Sequence, residues 1–135
     1  MLLDFRESAV SNDLEADICI VGGGAAGIAI AREFIGARLS VIVLESGGLE
    51  AEERVQELNR GENSRGDFEL DESRFRLAGG TTLVWGGWCA PLDELDFEPR
   101  AGVPPRGWPL GKRALLPFYA RAQALCQLGA RGYSL

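Results

Sequence analysis

Six consecutive residues constrain this chain more than anything else in it: Gly22-Gly23-Gly24-Ala25-Ala26-Gly27, set between a β-branched run and a helical pattern. The run before them, Asp17-Ile18-Cys19-Ile20-Val21, suits a buried parallel strand. After them Ile28, Ala31, Phe34 and Ile35 share one helical face, with Arg32 and Glu33 turned outward. Gly36 stands where that helix should stop. Leu39 to Leu44 gives a second buried strand, placed at 40–45, and leads into Glu45-Ser46-Gly47-Gly48. Strand, glycine turn, helix, strand and acid make one βαβ unit over 17–48, expected to be right-handed.

Each glycine at the spacing of 22, 24 and 27 has a physical duty. Gly22 lets the chain turn sharply out of the strand, and Gly24 lets a pyrophosphate approach the amides at the positive helix end. Gly27 permits close packing of helix on strand. Glu45, at about the ~20-residue distance such units use, can accept hydrogen bonds from both ribose hydroxyls of an adenosine. Its charge repels a 2′-phosphate, which disfavours NADP. The fingerprint does not separate NAD from FAD, and a ligand-free glycine turn is the structural alternative.

Beyond Gly48 the pattern loosens. Residues 49–73 are rich in Glu, Arg, Asn and Gly, with a short helix expected around 52–58; the stretch is either a solvated excursion or a lid. Residues 74–90 are glycine-rich and apolar, 91–109 read as irregular coil, and 115–128 as a helix within 112–129. In that helix Pro117 is expected in the first turn and Gly129 at the close. Residues 1–15 look like a loosely ordered lead-in.

A length of 135 residues suits one modest domain. The formal charge of -6 argues against a nucleic-acid partner, which needs a basic patch. The most apolar stretch, 18–30, is broken by glycines and is no membrane span. Cys19, Cys89 and Cys126 have unrelated spacings that suggest neither a disulfide framework nor a metal site, so free thiols in a reducing, cytoplasmic setting are expected. The chain contains no histidine, the commonest general base at neutral pH.

A second glycine block gives the fingerprint its context. Ala16 to Gly27, Glu45-Ser46-Gly47-Gly48 and Gly79-Gly80-Thr81-Thr82-Leu83-Val84-Trp85-Gly86-Gly87 together resemble the GMC (glucose–methanol–choline) oxidoreductases, FAD enzymes that oxidise alcohols and sugars. Gly107-Trp108-Pro109 and Leu116-Pro117-Phe118-Tyr119 are similar to the subgroup with pyranose and fructose dehydrogenases. The resemblance runs from Asp17 to about Gly129. It implies that Gly22, Gly23, Gly24, Ala25, Ala26, Gly27, Glu45 and Ser46 hold the ADP half of FAD. It further implies that Gly79, Gly80 and Thr81 approach the flavin or its phosphates, while Val84, Trp85 and Gly86 lie along the ring.

Core packing is the alternative for Trp85 and the favoured reading for Trp88. Arg76 either contacts the pyrophosphate or, the plainer choice, pairs with a surface acid such as Asp71. Some sugar-oxidising relatives attach FAD covalently through a His in the second block; that position looks to be Val84, so the FAD implied here is non-covalent. The family's catalytic His, with a second His or Asn, lies far downstream, so no catalytic residue is assigned to this chain.

The expected fold is therefore α/β. It comprises an incomplete Rossmann-like FAD/NAD(P)-binding βαβ unit (17–48), irregular glycine-rich segments with a flavin-side motif (74–90), and a C-terminal helix (112–129). The substrate domain is expected to be absent, and with it the contacts to the alcohol or sugar. The alternatives are an NAD-binding oxidoreductase domain and a noncatalytic nucleotide-binding module. Two parallel strands and one helix leave apolar surface uncovered, so the isolated chain is expected to be marginally stable.

Overall fold

The computed structural model describes residues 1–6, 13–99 and 108–129. The chain divides into two compact units, Met1–Gly87 and Trp88–Leu135. In the first, β1 (Ile18–Val21), α1 (Ala25–Arg32) and β2 (Val41–Leu44) form a βαβ unit whose two strands are parallel. Ile18 lies opposite Val41 and Val21 opposite Leu44. The ladder is clipped at its start by Asp17, whose Oδ2 accepts from the Ser40 amide and hydroxyl, both at 2.7 Å. Those bonds hold the Asp17 carboxyl below its ordinary pKa. At its end the Gly22 amide continues the ladder to the Leu44 carbonyl at 2.7 Å.

Three sequence expectations are corrected in this unit. First, α1 closes at Arg32, one turn before Gly36. Residues 33–37 instead wind in tighter bonds, such as Phe34 N–H to Ala31 (3.2 Å) and Ala37 N–H to Phe34 (3.0 Å). Gly36, at φ +83°, ends this turn rather than the helix proper. Second, the strands are not buried throughout: Ile20 is buried, but Val21 is 83 % exposed and Leu44 is exposed too. Among the described residues the ladder has two strands, so little covers their C-terminal ends. Third, the lead-in is tied down at Arg6, which pairs with Asp4 and, through two bonds at 2.6 and 2.7 Å, with Glu52. The Arg6 guanidinium holds the Asp4 carboxyl down at about 2.

The short helix expected around 52–58 is present as α2 (Glu53–Gln56), continued by a 3-10 turn at Glu57–Asn59. A second 3-10 turn, Gly80–Leu83, opens the second glycine block.

In the other unit, the stretch expected as coil contains one helical turn, α3 (Glu94–Phe97). The Asp93 amide donates to Asp96 Oδ2 at 2.8 Å, a capping box that Asp-x-x-Asp supplies. Around it, Trp108 packs on Phe97 with ring centroids 6.0 Å apart, and the Tyr119 hydroxyl accepts from the Leu92 amide at 3.0 Å. The helix α4 covers Lys112–Leu125, so Pro117 lies inside it rather than in its first turn. There the ring removes the donor that would have met the Arg113 carbonyl. Nor does Gly129 close the helix. Gln127 takes the left-handed conformation (φ 56°), with Leu128 N–H bonded to Gln123 and Gln127 N–H to Ala124, a Schellman ending. Among the described residues no helix is long and apolar enough to cross a membrane.

Candidate functional site

The glycine turn is built as its spacing requires. Gly22 has φ +101°, a conformation that L side chains rarely adopt. A Cβ on Gly27 would strike the Gly22 carbonyl oxygen and lie 3.3 Å from Ile20 Cγ2, so α1 seats directly on β1 only without one. Gly24, the N-cap of α1, is different: a Cβ there would meet no protein atom within 4 Å. Space therefore lies open beside the helix start, where the first amides lack intrahelical partners and carry the positive end of the dipole. No acidic residue stands in that first turn to neutralise it, and the side chains of Ala25 and Ala26 are exposed. An open cradle with backbone donors and no carboxylate in the helix's own first turn fits a pyrophosphate.

Glu45 follows β2 and bends back onto this turn. Its Oε2 accepts from the Gly23 amide at 2.6 Å, while Oε1 accepts from the Gly47 amide at 2.9 Å and the Ser46 hydroxyl at 3.2 Å. Partial burial pushes its pKa up, but the Gly47 and Gly23 amides and the Ser46 hydroxyl outweigh this, and the carboxyl titrates below its ordinary value. An ionised carboxylate has about four acceptor positions, so these three bonds leave one on Oε2 beside the turn. Gly23 is buried against the same side chain: its Cβ position lies 3.2 Å from Glu45 Cβ.

The second glycine block meets the first. Gly79 pairs with Gly24 in an isolated parallel bridge, and the Gly79 amide donates to the Gly23 carbonyl at 2.8 Å. One step earlier, the Ala78 amide donates to the Gly48 carbonyl at 2.9 Å. These approaches are close enough to exclude side chains. A Cβ on Gly47 would collide with the Arg76 carbonyl, and one on Gly80 would stand 3.1 Å from Gly24 Cα. Segments distant in sequence thus join at the mouth of the turn, with Gly79 and Gly80 both at positive φ.

The remaining expected residues divide. Thr81 commits its hydroxyl to the backbone, accepting from the Phe75 amide at 3.0 Å. Val84, Trp85 and Gly86 are exposed, and Trp88 is 91 % exposed, so neither tryptophan is buried in a core among the described residues. Among the described residues the Arg76 guanidinium does not pair with a surface acid. It reaches Asn59 Oδ1 (2.8 Å) and the Ser46 hydroxyl (3.1 Å), while Asp71 pairs with Arg60 at 3.6 Å. The Gly107 of the third matching stretch lies outside the described residues. Sequence reasoning missed Gln56 and Asn59, whose side chains hold the backbone at Arg74 and Arg76. The one available signal was two amides three residues apart in a short helical stretch.

No family model, curated protein or solved structure matches this chain.

Proposed function

We propose that this chain is the FAD-binding portion of a GMC-type oxidoreductase that oxidises the CH–OH group of an alcohol or sugar. The reading extends the βαβ unit to an incomplete Rossmann-like dinucleotide fold. The observation that carries it is the bridge between Gly24 and Gly79, which joins the two glycine blocks on which the resemblance rests.

In this reading Gly24, Ala25, Ala26 and Gly27 offer backbone amides to the pyrophosphate, and the open side of Gly24 admits it, while Gly22 and Gly23, whose own amides are held by Leu44 and Glu45, shape the turn. The acceptor position left on Glu45 Oε2 takes a ribose hydroxyl, with Ser46 beside it. Gly79, Gly80 and Thr81 bring main chain toward the flavin side, and exposed Val84, Trp85 and Gly86 supply an apolar surface for the ring. The chemistry supplied by bound FAD is acceptance of a hydride from a carbinol carbon. The hydroxyl proton needs a base, and with no histidine in this sequence the family's base does not come from it. Val84 is no attachment point, so the cofactor is dissociable.

Titration of the chain with FAD, followed by quenching of flavin fluorescence, tests the reading against NADH in a parallel titration. Saturable FAD quenching without an NADH response is expected. An NADH response alone moves the chain to an NAD-binding domain, and no response to either nucleotide overturns the proposal.

A further inference from the structure

Gln56 and Asn59 spend their side chains on one short stretch of backbone. Gln56 Nε2 donates to the Arg76 carbonyl at 2.8 Å, and its Oε1 accepts from the Arg76 amide at 2.9 Å. Both main-chain groups of one residue are thus met by one side chain, as a neighbouring strand would meet them. Asn59, only 4 % exposed, donates through Nδ2 to the Arg74 carbonyl at 3.1 Å and accepts from Arg76 Nε at 2.8 Å. Spaced by three residues along a helical stretch, the two amides share a side and also touch each other at 3.4 Å.

The backbone they grip leads straight into the contacts between the glycine blocks. Buried Leu77 follows Arg76; then Ala78 bonds to Gly48 and Gly79 bonds to Gly23. Arg76 carries the grip further by reaching the Ser46 hydroxyl beside Glu45. We infer that Gln56 and Asn59 are positioning residues, an amide clasp that fixes Arg74–Arg76 and thereby holds Gly79 against Gly24 at the spacing a dinucleotide needs. The clasp stands on its hydrogen bonds alone, whereas its effect on affinity rests on the FAD reading above. A cradle held ready before binding spares the ligand the ordering of that segment.

The test compares the full chain with Gln56→Met at 10 °C; methionine keeps the side-chain length and removes both bonds. Amide exchange at Ala78 and Gly79 should quicken about tenfold while Ile18 and Gly22 in the ladder stay protected, and the Kd for FAD should rise about tenfold. Gln56→Glu keeps the acceptor for the Arg76 amide but donates to the carbonyl only when protonated. Its affinity defect relative to the wild type should therefore shrink as pH falls toward the ordinary glutamate pKa of about 4.3, which the methionine variant cannot do. Unchanged exchange at Ala78 and Gly79, or an equal rise at Ile18 and Gly22, overturns the clasp. Faster exchange with an unchanged Kd overturns its role in binding. If Gln56→Met loses ladder protection altogether, the milder Gln56→Glu decides by the same amides. If the wild-type chain binds no FAD, the cofactor reading fails by itself and exchange still decides the clasp.

Discussion

Gly24 and Gly27 are chemically identical and sit one helical turn apart, yet the structure gives them opposite sensitivities. A methyl group on Gly24 points into open space, and its φ of -79° is one alanine adopts readily. Gly24→Ala should therefore cost about 1 kcal/mol or less, as a poorer N-cap, while raising the Kd for FAD at least tenfold by filling the approach. Gly27→Ala drives a methyl into the Gly22 carbonyl oxygen and should destabilise the fold by about 3 kcal/mol. Thermal melts with and without FAD check the pair; equal effects of the two on stability would refute this division of labour. Glu45 adds a pH dependence. Its folded pKa is depressed, so its bonds contribute fully above the unfolded value of about 4.3 and are lost as pH falls through the lower folded value. Charged acceptors bind amides roughly twice as strongly as neutral ones. Protection of the Gly23 and Gly47 amides, corrected for intrinsic exchange, should drop between pH 5 and 3, and in Glu45→Gln it should not.

Periodicity and glycine placement made β1, α1 and β2 legible, because strand runs and turn glycines are local signals. Element ends were less so. The end of α1 and the Schellman ending of α4 depend on which residue takes a left-handed turn, and Gln127 gives no sign of that in its side chain. The capping box of α3 was readable in Asp93-Glu94-Leu95-Asp96 but was obscured by the prolines around it. At the site, the sharp turn at Gly22 and the close packing at Gly27 followed from spacing. The meeting of Gly79 with Gly24 did not, since nothing local in either segment names the other. Gln56 and Asn59 were hidden for a related reason: in a polar stretch an amide that braces backbone looks like one that faces water. The αL strain at Gln127 supplies an element-scale prediction. A non-glycine residue there costs about 1 kcal/mol, so Gln127→Gly should raise protection of the Leu128 amide about fivefold. No gain would mean that the ending is held by other contacts.

At the scale of the molecule, the balance of forces sets how the chain behaves when isolated. Among the described residues only Ile20 and Leu77 are buried large apolar side chains, while Val21, Ile35, Leu49 and Trp88 are each more than two-thirds exposed. Burying one such side chain stabilises by about 2 kcal/mol, and ordering the backbone of each residue costs about 1–2 kcal/mol. A core this small leaves hydrogen bonds such as the Glu45 and Gln56 sets with a large share of the work. Each of those contributes only about 1 kcal/mol net. The chain alone should therefore melt broadly below 50 °C by far-ultraviolet circular dichroism and bind a hydrophobic dye before it melts. Ligand linkage then provides a sharper measure. FAD at a hundred times its Kd adds about 2.7 kcal/mol to the folded state, large against so small a net stability, and should raise the midpoint by several degrees and narrow the transition. Gly24→Ala should melt within about 1 kcal/mol of the wild type without ligand and, with its Kd raised tenfold or more, gain no more than about 1.4 kcal/mol from the same FAD concentration. A single sharp transition above 50 °C without ligand would show that the exposed apolar surface costs far less than its extent implies.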